Sequence, residues 1–366
     1  MLRKTLRTLR YARSWKAGAD VFPVETEIKR DDATVPATLI VPAQRTGALP
    51  AWIAVGGVSR MGRFHPQLVR FAQALSSTGA AVLIPEIPEW RSLDVSPRVA
   101  TPTIRASLDL LAKRTEVRPG KVGLIGFSFG APQVAISATY DDLAEQVAGI
   151  VLFGGYCCLE RTVVCQLTGT HEWEGVDYEL NPDPYGRWVM ASRHLTDVAG
   201  HEDAGDVAAA LRRLAAAASD RRIPAWDPFH DKMMGELRLA LPAKRRSLFD
   251  LFATPTTCPR PDRDECHAMA VSLTAACVRV EPLLEPGPYL SRVNVPTRLV
   301  HGRGDRLIPF TESMRLWERL PATPKRALTV TGLFNHSADH SPAKLRDRVR
   351  ERATFLSMLH GLVNTV

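Results

Sequence analysis

Several features that indicate a membrane protein or a nucleic-acid-binding protein are missing from this chain of 366 residues. No run of about 18 apolar residues occurs, which argues against an integral membrane span. No zinc-finger spacing, basic heptad region or aromatic-basic RNA-binding motif occurs, so we expect no nucleic-acid partner. The formal net charge of +8 favours solubility and a mild attraction to anionic surfaces, without selecting nucleic acid.

Cysteine is scarce, and its six copies all lie between residues 157 and 277. The N-terminus lacks the apolar core of a secretory signal, so we expect a cytoplasmic protein with reduced thiols rather than a disulfide framework. Cys258 and the pair Cys266-His267 lack a recognised zinc spacing. We therefore predict small buried apolar cysteines, no metal site and no organic cofactor.

The first 20 residues form a basic N-terminal segment, "MLRKTLRTLRYARSWK" followed by a short link. Leu2, Leu6 and Leu9 lie at helical spacing among cations, which predicts a basic amphipathic helix. Such a helix suits a transit peptide or a weak contact with an anionic membrane surface. It equally suits a helix docked on the protein body with a solvated basic face.

Short apolar runs alternate with helical patterns along most of the chain. Continuous apolar runs of this length are typical of strands buried on both faces of a parallel sheet. Leu68, Phe71 and Leu75 share one helical face before Gly79, a plausible helix end. The alternation predicts an α/β fold with a doubly wound, mostly parallel sheet. The predicted strands are 37–42, 51–57, 80–88, 121–127, 147–155, 297–305 and 326–333.

The alternation breaks between residues 156 and 290, where helical patterns appear at 205–219, 236–252 and 266–280. So long a segment cannot remain a bare loop, and we predict a helical cap or lid inserted into a core of residues 21–155 and 291–366. Both junctions are expected at the carboxyl edge of the sheet. The aromatic residues of this segment suit either a pocket or its own core: Trp173, Tyr178, Tyr185 and Trp188.

Ser128 stands between two glycines in "KVGLIGFSFGAPQVA", where a predicted strand passes into a helix. A Gly-x-Ser-x-Gly pattern in this context holds the serine at a strained turn, with its oxygen lifted out of the sheet. The turn also lies near a helix N-terminus, which favours developing negative charge. We interpret Ser128 as a nucleophile; the alternative is a tight turn alone.

A serine nucleophile needs a base, and the base needs an orienting acid. "VHGRGDRLIP" puts Asp305 after one late strand, and "TVTGLFNHSADH" puts His336 after the next. Both follow carboxyl ends of strands, as Ser128 does, so the three are expected at one edge of the sheet. His340 is the alternative base, and Glu160 is a weaker alternative acid.

The loop "VGGVSRMGRFHP" follows the predicted strand at 51–57. Its Gly56-Gly57 pair allows a sharp turn that leaves the Val58 N–H pointing at the site. With the N–H of Phe129, the residue after the serine, it would form an oxyanion hole. A glycine-rich turn alone is the alternative.

Glu86 and Glu89 suit either a pocket rim or a solvated loop.

These motifs, "GFSFG", "HGRGDRLIP" and "LFNHS", resemble those of α/β-hydrolases with a cap, in the broad esterase, lipase and dienelactone-hydrolase-like group. The likeness covers residues 20–155 and 291–366. Where many members have His-Gly, this chain has Gly56-Gly57. The resemblance implies a triad of Ser128, His336 and Asp305.

The predicted activity is hydrolysis of a small-molecule carboxylic ester through an acyl-enzyme. Two classes of alternative remain. The same triad also serves acyltransferases, peptidases and C–C bond hydrolases. A non-catalytic binding protein could keep the fold, although it would have no need of the serine, aspartate and histidine together.

Overall fold

The computed structural model describes residues 2–45, 47–322, 326–332 and 345–366. The strands in those ranges are β1 (Val21–Arg30), β2 (Ala33–Pro42), β3 (Ala51–Val55), β4 (Ala81–Pro85), β5 (Val122–Phe127), β6 (Val147–Phe153), β7 (Thr170–Trp173), β8 (Val176–Glu179), β9 (Thr297–Gly302) and β10 (Arg326–Thr331).

Helices separate most of the strands. They are α1 (Leu2–Ala17), α2 (Pro66–Ser76), α3 (Pro88–Arg91), α4 (Ala100–Ala112), α5 (Gly130–Ser137), α6 (Asp141–Ala144), α7 (Leu159–Thr168), α8 (Tyr185–His194), α9 (Gly205–Arg221), α10 (Asp231–Ala240), α11 (Ala243–Phe252), α12 (Arg263–Val280), α13 (Thr311–Arg319) and α14 (Leu345–Val363).

Eight strands form one sheet in the order β1-β2-β4-β3-β5-β6-β9-β10. From β4 to β10 every neighbouring pair is parallel, whereas β2 runs antiparallel to both β1 and β4. The predicted mostly parallel α/β sheet is therefore confirmed. The carboxyl ends of β3, β5, β6, β9 and β10 meet at one edge, which brings their following loops together.

Side chains on the two faces of the sheet belong to two separate cores. Trp52 packs on the face that α1, α2 and α14 cover, while its neighbour Ile53 packs on the opposite face against α4 and α5. Likewise, Val151 packs on the face of Trp52, and Leu152 packs on the face of Ile53. Because both faces are covered by helices, the central strands have continuous apolar sequences rather than alternating ones.

All seven predicted strands occur, each with shifted or shortened ends. The edge strand β1 was not predicted, because its sequence "VFPVETEIKR" is partly exposed and mixes charged with apolar residues. The single helix expected over 236–252 is two helices, α10 and α11. Pro242 separates them because it cannot donate the backbone hydrogen bond that a continuous helix would need.

The N-terminal helix α1 is docked on the body, on the face of the sheet that α2 and α14 cover. Tyr11 is 3% exposed and meets Phe71 edge-on at 5.8 Å, and the Arg7 guanidinium donates to the carbonyl of Val366 at 3.2 Å. The leucine stripe does not make this contact, since Leu6 and Leu9 are exposed. The predicted helix is therefore confirmed, and it packs on the body through the face that carries Tyr11.

The segment between β6 and β9 contains α7 to α12 and the hairpin of β7 with β8. It leaves β6 at the carboxyl edge of the sheet, as expected. The chain re-enters at Thr297, which pairs in parallel with Ile150 and is therefore at the amino end of β9. The expectation that both junctions lie at the carboxyl edge was wrong, because a parallel neighbour must be entered from the opposite edge.

Candidate active site

Ser128 forms a sharp turn between β5 and α5. Its φ angle is +53°, in the left-handed region that non-glycine residues rarely adopt. Its N–H donates to the carbonyl of Phe153 at the end of β6, at 2.8 Å, and its carbonyl accepts from the N–H of Ala131 at 3.0 Å. These bonds hold a strained backbone in place, an arrangement that is concentrated at functional sites.

The glycines around Ser128 are required by close backbone contacts. A β carbon at Gly126 would lie 2.6 Å from the α carbon of Ala131, and one at Gly130 would overlap the carbonyl oxygen of Gly56. A β carbon at Gly57 would lie 3.2 Å from the β carbon of Ser128. The Gly-x-Ser-x-Gly pattern thus allows the turn, the start of α5 and the loop after β3 to pack on one another.

Ser128 lines a cavity of about 70 Å³ between the sheet edge and two helices of the following segment. The wall is mostly apolar, with a few hydroxyl and amide groups. The α7 and α8 helices supply eight of the lining residues: Leu159, Thr162, Val163, Gln166, Tyr185, Gly186, Val189 and Met190. The sheet side and its loops supply Val58, Val95, Ser128, Phe129, Tyr156, Leu307 and Ile308.

The two residues expected to form an oxyanion hole, Val58 and Phe129, both line this cavity with Ser128. Among the described residues, neither backbone N–H donates a hydrogen bond. Phe129 precedes the first residue of α5, where N–H groups have no partner within the helix. An oxyanion hole uses two amide donors of this kind.

Asp305 lies in the loop after β9 and is 2% exposed. Its Oδ1 accepts from the backbone N–H groups of Leu307 at 2.8 Å and Ile308 at 3.1 Å. The Nε2 atom of His301 lies 3.4 Å from Asp305 Oδ2. These contacts hold the carboxylate in the same loop as two cavity-lining residues, Leu307 and Ile308.

His336 and the alternative base His340 lie outside the described residues. The strand that precedes them, β10, ends at Thr331. The carbonyl of Thr331 accepts from the N–H of Arg303 at 2.9 Å, two residues before Asp305. The chain that carries His336 therefore leaves the sheet beside the loop of Asp305.

The weaker acidic candidates have other surroundings. Glu160 is exposed on the first turn of α7 and does not line the cavity. Glu86 is 4% exposed, accepts from the Ile87 N–H and faces Arg91, while burial raises the pKa of its carboxyl group. Glu89 is paired with Arg30. Neither Glu86 nor Glu89 lines the cavity, and Glu86 is not a solvated loop residue.

Of the four aromatic residues considered for a pocket, Tyr185 lines the cavity. Trp188 is fully buried and donates to the carbonyl of Phe252, so it belongs to the core. Tyr178 stacks on His171, and the Trp173 ring lies under Arg315.

All six cysteines are described and free of disulfides, although Cys258 is exposed rather than buried. Burial raises the pKa of the Cys157 and Cys165 thiols to about 12. Both are therefore thiols at neutral pH, which makes them poor nucleophiles.

Sequence reasoning missed the polar residues through which the segment 156–290 meets the loops that follow β3 and β9. Gln166 donates to the carbonyl of Leu307 at 2.9 Å, and the Asp183 N–H donates to the carbonyl of Arg306 at 2.8 Å. Burial raises the pKa of the Asp183 carboxyl group. Tyr185 donates to the carbonyl of Val58 at 3.2 Å. No local sequence signal marks such contacts, since each joins residues more than 120 positions apart.

Comparisons with known proteins give a structural match without a sequence match. No protein-family model matches the chain, and no curated protein matches its sequence. The solved structure of a 2,6-dihydroxy-pseudo-oxynicotine hydrolase matches with a TM-score of 0.50 at 15% identity, over 98% of this chain and 73% of that one. The chain has the α/β-hydrolase fold. The predicted resemblance is therefore confirmed at the level of fold.

Further α/β-hydrolases resemble the chain more weakly. A dienelactone hydrolase from Anabaena variabilis has a TM-score of 0.44 at 13% identity, covering 93% of this chain and 98% of its own. Est1E from Butyrivibrio proteoclasticus has a TM-score of 0.47 at 11% identity, covering 93% and 99%.

None of the helices among the described residues has the length and apolar character needed to cross a membrane. They contain no group of three or more His, Cys, Asp or Glu side chains arranged to hold a metal ion.

Proposed function

We propose that this protein is a serine hydrolase that cleaves a carboxylic ester through an acyl-enzyme on Ser128, with His336 as the base and Asp305 as the orienting acid. The observation that carries the proposal is the backbone of Ser128. A strained serine follows a buried strand and lines a cavity together with Val58 and Phe129, whose backbone N–H groups donate to no group among the described residues. A turn with only a structural role needs the flanking glycines, but it needs neither the cavity nor the two N–H groups.

In the first half of the reaction, Ser128 Oγ attacks the ester carbonyl carbon as His336 takes the hydroxyl proton. The carbonyl oxygen becomes an oxyanion that accepts from the N–H groups of Val58 and Phe129. Each such donor is worth about 10²–10³ in kcat. The intermediate then collapses, the alcohol leaves with the proton from His336, and the acyl group stays on Ser128.

In the second half, His336 takes a proton from water, and the resulting hydroxyl attacks the acyl carbon. Collapse of this second intermediate returns the proton to Ser128 and releases the carboxylic acid. Asp305 stabilises the charged imidazole and fixes its tautomer. The two N–H bonds to Asp305 Oδ1 fix the position of the carboxylate, and neither of them uses Oδ2.

We also propose that residues 156–290 act as a cap that limits the size and shape of the substrate. Two of its helices line the cavity, and Gln166, Asp183 and Tyr185 are among its residues that hydrogen-bond to loops that follow β3 and β9. With a cavity of only about 70 Å³, a large acyl group requires these helices to shift. Small esters are the expected substrates.

Labelling with a fluorophosphonate probe tests the nucleophile directly, because the probe forms a covalent bond with an activated serine. We expect wild-type protein to be labelled at Ser128, identified by mass spectrometry, and Ser128→Ala to remain unlabelled. Ser219, a partly buried serine outside the cavity lining, provides the matched variant Ser219→Ala, which should still be labelled. Unchanged labelling of Ser128→Ala would refute the proposal.

The base and the acid are tested with paired substitutions and a panel of esters of graded acyl length. We expect His336→Ala to lower kcat by several orders of magnitude, and His340→Ala to cost far less. Asp305→Asn should reduce kcat strongly, whereas Glu160→Gln should not. A larger effect of His340→Ala or of Glu160→Gln would reassign the base or the acid. Product analysis with added alcohol as a competing nucleophile distinguishes hydrolysis from acyl transfer.

A further inference from the structure

The side-chain amide of Gln166 is buried and has a fixed orientation. The residue lies on α7 and is 5% exposed, and its Nε2 donates to the carbonyl oxygen of Leu307 at 2.9 Å. Because a carbonyl oxygen only accepts, the NH₂ end of the amide must face Leu307. The oxygen Oε1 is therefore turned to the other side.

Gln166 Oε1 accepts no hydrogen bond from the described residues, although the atom is buried. An unsatisfied buried acceptor costs about 1–3 kcal/mol, so its presence calls for an explanation. Gln166 also lines the cavity of Ser128. The cavity wall therefore includes a residue whose buried acceptor is paired by no described group.

Three hydroxyl groups in the same wall, apart from that of Ser128, already donate to protein carbonyls. Tyr156 donates to Leu284 at 3.0 Å, Tyr185 to Val58 at 3.2 Å and Thr162 to Cys158 at 2.8 Å. Most of the remaining wall is aliphatic or aromatic. Gln166 Oε1 thus differs from these groups in having no partner within the described protein.

The residues around Gln166 hold the amide in this position. The absence of a side chain at Gly186 on α8 allows the amide to lie where it does, since a β carbon there would overlap the amide group. Leu307, which accepts from the amide, also donates its own N–H to Asp305. The amide is therefore packed between the two cavity helices and tied to the loop of the proposed catalytic acid.

We propose that Gln166 is a specificity-determining residue, whose Oε1 accepts a hydrogen bond from a hydroxyl or N–H group of the substrate. The inference rests on the proposed ester hydrolysis and narrows it to small esters that carry such a donor. A site built to pair with a substrate donor discriminates against the analogue without it, because the buried acceptor is then left unpaired.

Isosteric ester pairs test this inference. In each pair a hydroxyl replaces a methyl group: 4-nitrophenyl hydroxyacetate against propanoate, 4-nitrophenyl 3-hydroxypropanoate against butanoate, and 2-hydroxyethyl butanoate against propyl butanoate. We expect wild type to prefer the hydroxyl ester of at least one pair by about tenfold or more in kcat/KM. In Gln166→Met that ratio should fall to within about twofold of unity.

Gln133→Met is the matched control. Gln133 is also a buried glutamine whose Nε2 donates to a backbone carbonyl, that of Leu283 at 3.2 Å, but it does not line the cavity. This variant should keep the wild-type ratio. Gly186→Ala offers a second test if Gln166→Met does not fold. It retains the amide but displaces it, so the ratio should fall. A wild-type ratio near unity in all three pairs, or a ratio that survives both Gln166→Met and Gly186→Ala, would overturn the inference.

A binding measurement keeps this inference separate from the proposed chemistry. Ser128→Ala should bind 2-hydroxyethyl butanoate more tightly than propyl butanoate by calorimetry, and the added substitution Gln166→Met should remove the difference. If wild type hydrolyses no ester but this difference is present, the ester-hydrolase proposal fails and the acceptor site stands. Equal binding of the two esters to Ser128→Ala would overturn the acceptor site, whatever the turnover.

Discussion

Gly57 packs so closely on Ser128 that a β carbon at Gly57 would lie 3.2 Å from the Ser128 β carbon and 3.5 Å from its Oγ. The contact joins the loop after β3 to the turn after β5. It also fixes the backbone that leads into Val58, the proposed oxyanion donor. The Gly56-Gly57 pair is thus explained by the approach of two backbones, and a His-Gly pair is not needed for that approach.

Gly57→Ala should lower kcat by about 10–100-fold while the fold is retained. The added methyl group would be too close to Ser128 by only a few tenths of an ångström. The loop therefore shifts and carries the Val58 N–H away from the oxyanion. Ester kinetics and thermal melting measure the two effects. Gly205→Ala is the control, since a β carbon there has no neighbour within 4 Å. It should change neither kcat nor Tm. Normal kcat in Gly57→Ala would argue against Val58 as a donor.

Ser128→Gly should be more stable than Ser128→Ala by about 0.5–1 kcal/mol, although neither variant should hydrolyse esters. A φ of +53° costs an alanine about 1–2 kcal/mol and costs a glycine little, while the greater freedom of unfolded glycine offsets part of the gain. Denaturant unfolding of both variants gives the difference. An alanine variant as stable as the glycine variant would mean that the turn stores no strain.

His171 should make the protein less stable as the pH falls from about 6.5 to 4. Burial lowers the pKa of its ring from 6.5 to about 4, so the unfolded chain binds the proton more readily over that range. Its contribution to stability is therefore fully present above pH 6.5 and lost towards pH 4. The ring stacks on Tyr178 at 5.0 Å and has Thr311 Oγ1 at 3.1 Å from Nδ1.

Thermal melting at pH 7 and pH 5 measures this effect in His171→Gln, which cannot titrate. The difference in Tm between the two pH values should be smaller than in wild type. His267→Gln, at an exposed position on α12, should leave that difference unchanged. An equal pH dependence in His171→Gln and wild type would contradict the assignment.

Tyr11→Ala should destabilise the protein by about 3 kcal/mol, since it removes a buried aromatic ring between α1 and α2. Leu9→Ala on the same helix should change stability by less than about 0.5 kcal/mol, because Leu9 is 58% exposed. Denaturant unfolding compares the two variants. Equal small effects would indicate that α1 is not held on the body in solution.

Much of the proposed site could be predicted from local sequence. Ser128 and Phe129 are marked by glycines at a strand end, and Val58 by the glycine pair after another strand. Asp305 follows a third strand. These signals are reliable because a buried parallel strand has a short apolar sequence, and its carboxyl end fixes where the next loop begins. His336 is predicted by the same reasoning and stays a prediction.

Short patterns of glycines and apolar residues specify the class of fold, the position of the strained serine and the loops that surround it. Which face of α1 packs, how the chain re-enters the sheet at β9 and where the Gln166 amide lies depend instead on contacts between distant parts of the chain. Leu6 and Leu9 have helical spacing, yet the contacts of Tyr11 select the buried face. The sequence around Gln166 is that of an ordinary helix, and only the contact with Leu307, 141 residues later, orients its amide so that Oε1 has no partner among the described residues.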